Sequence, residues 1–182
     1  MDMLEEVMKC LECMNDELVS RIETFAYDCG VPVDLVGVTV WRCPSCDAYE
    51  VDIPNIESLH QAVAHAVARQ DRPLDGMEIR FLRKHIGWSG KDFGKHFGVA
   101  PETVSRWETG ARQMPLFPEM ALRMWTLVGP QTQVYDSGSV AQIAPEDILR
   151  TLKLPETIHE QDDEPESLRL SHHAAGWEKV AA

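Results

Sequence analysis

Hydrophobic positions change period several times along the chain. Residues Val36 to Trp41 alternate after the turn residues Gly30 and Pro32 and predict a strand. Over residues 55–72, Ile56, Leu59, Val63 and Val67 recur at steps of three and four, which puts them on one face of a helix. Asp71-Arg72-Pro73 breaks that pattern and reads as a linker. From 74 to 129 several short helical patterns follow, divided by Gly and Pro. Beyond Gly129-Pro130 the composition turns polar from Gln131 to Ser139, and Pro145 can open one more short helix. Glu156 to Glu166 hold six acids, no base and a proline, which reads as a disordered tail.

The most informative pattern runs from Gly87 to Gly110. Ser89 can cap a helix whose Phe93 and Phe97 lie one turn apart on a buried face. Gly94 between them leaves room for a second helix to approach. Gly98 suits the left-handed residue that ends the first helix, and Val99 can plug the turn. Pro101 is placed as the first residue of the next helix. On that helix Val104 and Trp107, about 60° apart, face inward. Glu102, Thr103 and Arg106 spread over the outward face of its first turns, the part of a helix-turn-helix that enters a major groove. Gly110 ends the helix. Among the outward residues Arg106 matches the O6 and N7 acceptors of guanine, whereas Ser89, Lys91 and Arg112 are placed to grip phosphates. An ordinary helical hairpin with a solvated face is the plainer alternative. The broad apolar helix carrying Met120, Leu122, Met124, Trp125 and Val128 reads either as core or as part of a twofold interface.

All five cysteines fall in residues 1–54. Cys10-Leu-Glu-Cys13 and Cys43-Pro-Ser-Cys46 are two Cys-x₂-Cys pairs separated by 29 residues. A two-residue spacer lets one tight turn present two thiolates to one ion, and two such turns complete a tetrahedral zinc shell at about 2.3 Å. The intervening segment can form the hairpin that brings the turns together. Metal binding then becomes folding free energy for a small segment. A redox pair would need a βαβ context that this segment lacks. Met14 and Asp47 stand where zinc knuckles commonly carry glycine, and Cys29 reads as a core or spare thiol. A closed four-sulfur site offers no position for water, so structural zinc is expected, not a catalytic one.

Charge sharpens the division. The 182 residues sum to −13, which excludes a uniformly basic nucleic-acid binder. Residues 74–129, however, hold eight basic and six acidic residues, or +2, so the rest of the chain carries −15. That asymmetry suits a nucleic-acid-binding module set between acidic segments, or simply a middle that lacks the acidic surface of its flanks. No apolar run approaches the ~18 residues of a membrane span, and Met-Asp-Met-Leu-Glu-Glu at the start is no secretory signal, so no membrane partner and a cytoplasmic location are expected. The histidines suggest no catalytic set. His60 and His65, five apart, lie on different sides of a helix; Lys84-His85 and Lys95-His96 read as facing phosphate or solvent; His172-His173 reads as a solvated pair in the tail.

Phe93-Gly94, Phe97-Gly98-Val99 and Val104-Ser105-Arg106-Trp107-Glu108-x-Gly110 resemble the helix-turn-helix of XRE/Cro-type repressors. Placed after two Cys-x₂-Cys pairs, the arrangement over roughly residues 8–129 is similar to the MqsA antitoxins, which carry a YgiT-type zinc finger. The resemblance implies a finger that binds a ribonuclease toxin, and a helical domain that dimerises and binds a double-stranded operator. It carries the family's Ser-Arg pair onto Ser105-Arg106, and puts Glu102 where the family has a base-reading asparagine. A carboxylate there can accept from cytosine, so a different operator sequence is implied.

The expected architecture is α+β, a small N-terminal zinc-bound finger followed by an all-α, lambda-repressor-like helix-turn-helix domain. The divisions are a four-cysteine zinc finger at 1–54, a helix and linker at 55–73, the helix-turn-helix domain at 74–129, and an acidic, partly disordered extension at 130–182. The expected function is an antitoxin that neutralises a ribonuclease toxin and represses its own operon as a homodimer. A stand-alone zinc-containing regulator is the alternative. A zinc-dependent nucleic-acid enzyme would need an open metal position, which four cysteines deny it.

Overall fold

The computed structural model describes residues 9–14, 18–128, 167–174 and 176–181. The expectations for Gln131–Ser139, the Pro145 helix and the acidic run Glu156–Glu166 lie outside these residues. Within them the chain mixes a sheet with five helices.

The segment between the cysteine pairs does form a hairpin, β1 (Val19–Asp28) and β2 (Pro32–Arg42), paired antiparallel. Strand β2 is central. Its other edge is shared by two partners, β3 (Tyr49–Asp52) antiparallel to Thr39–Arg42 and β4 (Leu168–His173) parallel to Val33–Val36. Strand β5 (Gly176–Lys179) then pairs antiparallel with β4. The register of β1 against β2 slips between Glu23 and Phe25. That irregularity explains why the buried positions of β2 change phase, from Val33 and Leu35 to Val38 and Val40, since one extra residue swaps the two faces of a strand.

Part of the C-terminal extension is therefore sheet. His172 and His173, expected in a tail, sit at the end of β4, both exposed, with His172 against the Trp177 ring. Leu168, Leu170 and Trp177 are buried, and the Trp177 indole donates to the Pro54 carbonyl at 2.9 Å. The apolar surface gained, together with a satisfied indole, gives this short hairpin a reason to dock.

Helix α1 (Ile56–Ala68) lies across the sheet, capped by the Asn55 side chain. Leu59, Val63 and Val67 are fully buried as the pattern implied, while Ile56 stays 43% exposed. Helices α2 (Gly76–His85), α3 (Gly90–Phe97), α4 (Pro101–Glu108) and α5 (Leu116–Val128) follow. One hydrophobic cluster runs from Val33, Leu35 and Val40 through α1 to Leu82, Phe93, Val104, Trp107 and Leu122. The break at Asp71-Arg72-Pro73 falls between α1 and α2, and it is tied down. The Arg123 guanidinium donates to the carbonyls of Ala68, Gln70 and Arg72 and to the Glu119 carboxylate, which also accepts from the Leu74 amide. This pair is almost wholly buried on the inner face of α5.

Candidate functional site

Two groups of residues singled out by the sequence come together in space. The first is the sulfur cluster. The Cys10 and Cys46 sulfurs lie 3.5 Å apart, Cys13 and Cys43 3.6 Å apart, and all four within 4.8 Å of one another. Ligands about 2.3 Å from a tetrahedral ion sit about 3.8 Å from each other, so the four cysteines fit one metal ion. No disulfide joins any of the five cysteines. Cys29 lies apart, in the β1–β2 turn, with its thiol directed at the Val31 carbonyl and its pKa raised by burial.

Local backbone sets up the cluster. Met14 and Asp47, each following a cysteine pair, adopt left-handed φ of 61° and 58°. The Met14 amide donates to the Cys10 carbonyl at 3.0 Å, and the Cys43 amide to the Ala48 carbonyl at 2.8 Å. These are the turns that glycine usually makes, formed here with side chains in place. Hydrogen bonding from the Cys13 amide, against some desolvation, draws the Cys10 thiol down to about 7. For Cys46 the Ala48 amide favours the thiolate, yet its sulfur contacts with Cys10, Cys43 and Cys13 push it up to about 12. Four sulfurs this close repel one another as thiolates, and a cation at their centre removes that conflict. A closed set of soft sulfur donors suits a structural metal.

The second group is the α3–α4 pair. Ser89 caps α3 through a capping box with Asp92: its hydroxyl accepts from the Asp92 amide at 3.1 Å, while its own amide and hydroxyl donate to the Asp92 carboxylate. These hydrogen bonds from Ser89 hold the Asp92 carboxyl below its ordinary pKa. Both Ser89 donors are thus engaged in capping, whereas the Lys91 side chain, on the second residue of the helix, is exposed. Phe93 is fully buried and Phe97 half-buried, its ring 4.8 Å from Phe93 and 5.5 Å from Trp125. A Cβ on Gly94 would lie 2.7 Å from the Val99 carbonyl oxygen, which shows how closely the turn folds back. Gly98 ends α3 in the left-handed region, φ 64°.

Pro101 begins α4, and Val104 and Trp107 are buried on its inner face. An Arg83–Glu108 ion pair, with Arg83 also donating to the Trp88 carbonyl, ties α2 to the end of α4 and to the start of the α3 segment. Glu102, Ser105 and Arg106 are exposed and Thr103 half-exposed. None of the four ion pairs among the described residues involves Arg106, so Glu102, one turn earlier, does not hold it. Arg112 is exposed beyond the end of α4, its amide donating to the Arg106 carbonyl at 3.1 Å.

Sequence reasoning missed the Arg123–Glu119 clamp, because two charges one turn apart on an apolar helix do not by themselves show that they are buried. Helix α5 also turns out differently from its apolar list. Leu122 and Leu127 are buried with Glu119, Arg123 and Thr126, whereas Leu116, Phe117, Met124 and Val128 are exposed, Phe117 at 77%. Among the described residues no helix is long and apolar enough to cross a membrane.

Fold and site together define a chain of mixed helix and sheet with a four-cysteine cluster that could hold a metal ion. No protein-family model matches the chain, and no curated protein matches it.

Proposed function

We propose that this chain is a DNA-binding regulator built on a structural zinc centre, and that it acts as the antitoxin of a toxin–antitoxin pair. The observation that carries the DNA-binding part is the α3–α4 pair. It is a capped helix, a tight three-residue turn and a second helix whose first turns expose Glu102, Ser105 and Arg106 over a buried Val104 and Trp107. In this reading α4 lies in the major groove of double-stranded operator DNA and Arg106 reads a guanine edge. Lys91 and Arg112 hold phosphates on either side. The sulfur cluster holds one zinc through Cys10, Cys13, Cys43 and Cys46 and has no catalytic role. The exposed apolar residues of α5 are the candidate twofold face of a homodimer, and the −15 carried outside residues 74–129 suits a basic toxin partner.

Binding to single-base variants of the DNA upstream of the chain's own gene tests the first part. Arg106→Ala is expected to cost roughly 1–3 kcal/mol per half-site and to relax preference at one base pair. Lys91→Ala is expected to weaken every variant alike and to flatten the salt dependence. Equal loss by Arg106→Ala on every variant would remove Arg106 from base reading. The antitoxin part is tested by co-expressing the full chain with the product of a neighbouring open reading frame that arrests growth. A chain that binds its operator yet rescues no arrested cells is the stand-alone regulator instead.

A further inference from the structure

A cavity of about 460 Å³ opens where the β1–β2 turn, α1, α2 and the end of α4 meet, and neither the four clustered cysteines nor Glu102, Thr103, Ser105 and Arg106 line it. Its size falls within the range of small-molecule sites. Met77 and Phe81 of α2 supply an apolar wall, and Arg80 and Lys84, one turn apart on the same helix, bring two cations to it. Neither cation takes part in an ion pair among the described residues. The one carboxylate at the cavity, Glu108, is already neutralised by Arg83.

Two imidazoles complete the lining, and both are held flat against neighbouring rings. His60 of α1 shares a 2.9 Å hydrogen bond with the Tyr27 hydroxyl and stacks on that ring; His85 stacks on Phe81 with centroids 6.3 Å apart. Partial desolvation, reinforced by His60, lowers the pKa of the His85 imidazole below its ordinary value. The result is a concave surface with two spare positive charges and a wall of planar rings, in a chain whose net charge is −13. The two cations favour an anionic occupant and the surrounding rings a flat one.

We propose that this cavity binds a small aromatic anion, its ring against Phe81 and Met77 and its charged group between Arg80 and Lys84. The occupant would touch the β1–β2 turn, α1 and α2 at once. The proposal does not depend on DNA binding and is read without DNA.

Calorimetric titration of the full, metal-loaded chain with phenyl phosphate tests it, with inorganic phosphate and phenol titrated separately. Phenyl phosphate is expected to bind at least tenfold more tightly than either half. The double variant Arg80→Ala, Lys84→Ala is expected to lose at least tenfold in affinity. Both side chains are solvent-exposed, so the fold should survive, and an unchanged thermal midpoint checks this. Met77→Glu, which adds a negative charge at a half-exposed position on the wall, is expected to weaken binding as well. Absence of phenyl phosphate binding up to about 10 mM overturns the proposal. So does a double variant that binds as the parent does, or phosphate alone binding as tightly as phenyl phosphate.

Discussion

Three left-handed turn positions, one between α3 and α4 and two beside the sulfur cluster, are built differently. Between α3 and α4 the position is Gly98, at φ 64°. After the two cysteine pairs it is Met14 and Asp47, at 61° and 58°. Glycine enters that region freely, whereas a residue with a Cβ does so at a cost of roughly 1–2 kcal/mol. The surroundings differ in the same sense. The α3–α4 turn sits on the large cluster that includes Phe93, Val104 and Trp107, while Cys10, Leu18 and Cys43 form a small cluster of their own. At the helical end, local preference and packing agree, so the geometry closes without help. At the cysteine end both are weak, and a metal bound by the four sulfurs would hold the turns in place.

The sharpest way to break this contrast is to remove the metal. Cys43→Ser, or chelation of the parent chain, is expected to take metal content from about one per chain to zero and to abolish amide protection over residues 9–14 and 43–48. Structural zinc contributes an apparent ~10–16 kcal/mol in isolated finger peptides, and little apolar burial is present here to replace it. Protection in α3, α4 and α5 should persist. Hydrogen exchange read residue by residue decides it: a cysteine end that stays ordered without metal ends the comparison. Cys29→Ser should leave metal content unchanged.

The next effect belongs to the helical end. Arg123→Ala strips donors from three carbonyls and leaves the Glu119 carboxylate buried and without its guanidinium. Breaking such a pair costs about 3–5 kcal/mol, whereas replacing both partners with apolar residues costs far less. Urea unfolding of Arg123→Ala beside the double variant Glu119→Leu, Arg123→Met should show the single change to be the worse of the two. Metal affinity should not move with either, and a coupled loss would show that the two ends are not held independently.

How much of this was legible follows the same division. The α3–α4 segment could be read because Ser89, Gly94, Gly98 and Pro101 each carry a local rule, and all four rules agree. The cysteine spacing was equally plain, and so was the hairpin it demands. Strands β4 and β5 were not. The partner of β4 on β2 is more than 130 residues away in sequence, β5 pairs only with β4, and the acidic run just before them biases the reading toward a tail. The Arg123–Glu119 clamp was hidden for a related reason, since its value lies in carbonyls at 68, 70 and 72 that no pattern on α5 announces. The phenyl-lined cavity was out of reach because its wall comes from α2 while the imidazole of His60 comes from α1.

Gly94 offers a smaller and more local test. In an ordinary helix interior Gly→Ala is stabilising by about 1 kcal/mol. At Gly94 the added Cβ would lie 2.7 Å from a backbone oxygen of Val99, with no flexible side chain able to move aside. Gly94→Ala is therefore expected to destabilise by roughly 1–3 kcal/mol, the size of an overpacking penalty. Thermal unfolding reads the sign directly. A stabilised variant would mean that the α3–α4 turn is looser than this geometry.

The smallest effect tests the cysteine end from the opposite direction. If the metal imposes left-handed backbone on residues that resist it, relieving the resistance should tighten metal binding. Met14 is 70% exposed and Asp47 is exposed too, so neither side chain contributes packing that a glycine would lose. Met14→Gly is expected to gain about 1 kcal/mol, which is roughly fivefold in metal affinity. Asp47→Gly should gain less, because a short polar side chain tolerates this region better than methionine does. Competition against a chromogenic chelator resolves changes of that size. The converse substitution, Gly98→Ala at the α3–α4 turn, should lower the unfolding midpoint and leave metal affinity alone. Glycine at position 14 that leaves affinity unchanged or weaker would mean that Met14 meets no resistance in its turn, and that the cysteine end, like the helical end, is shaped by its own backbone.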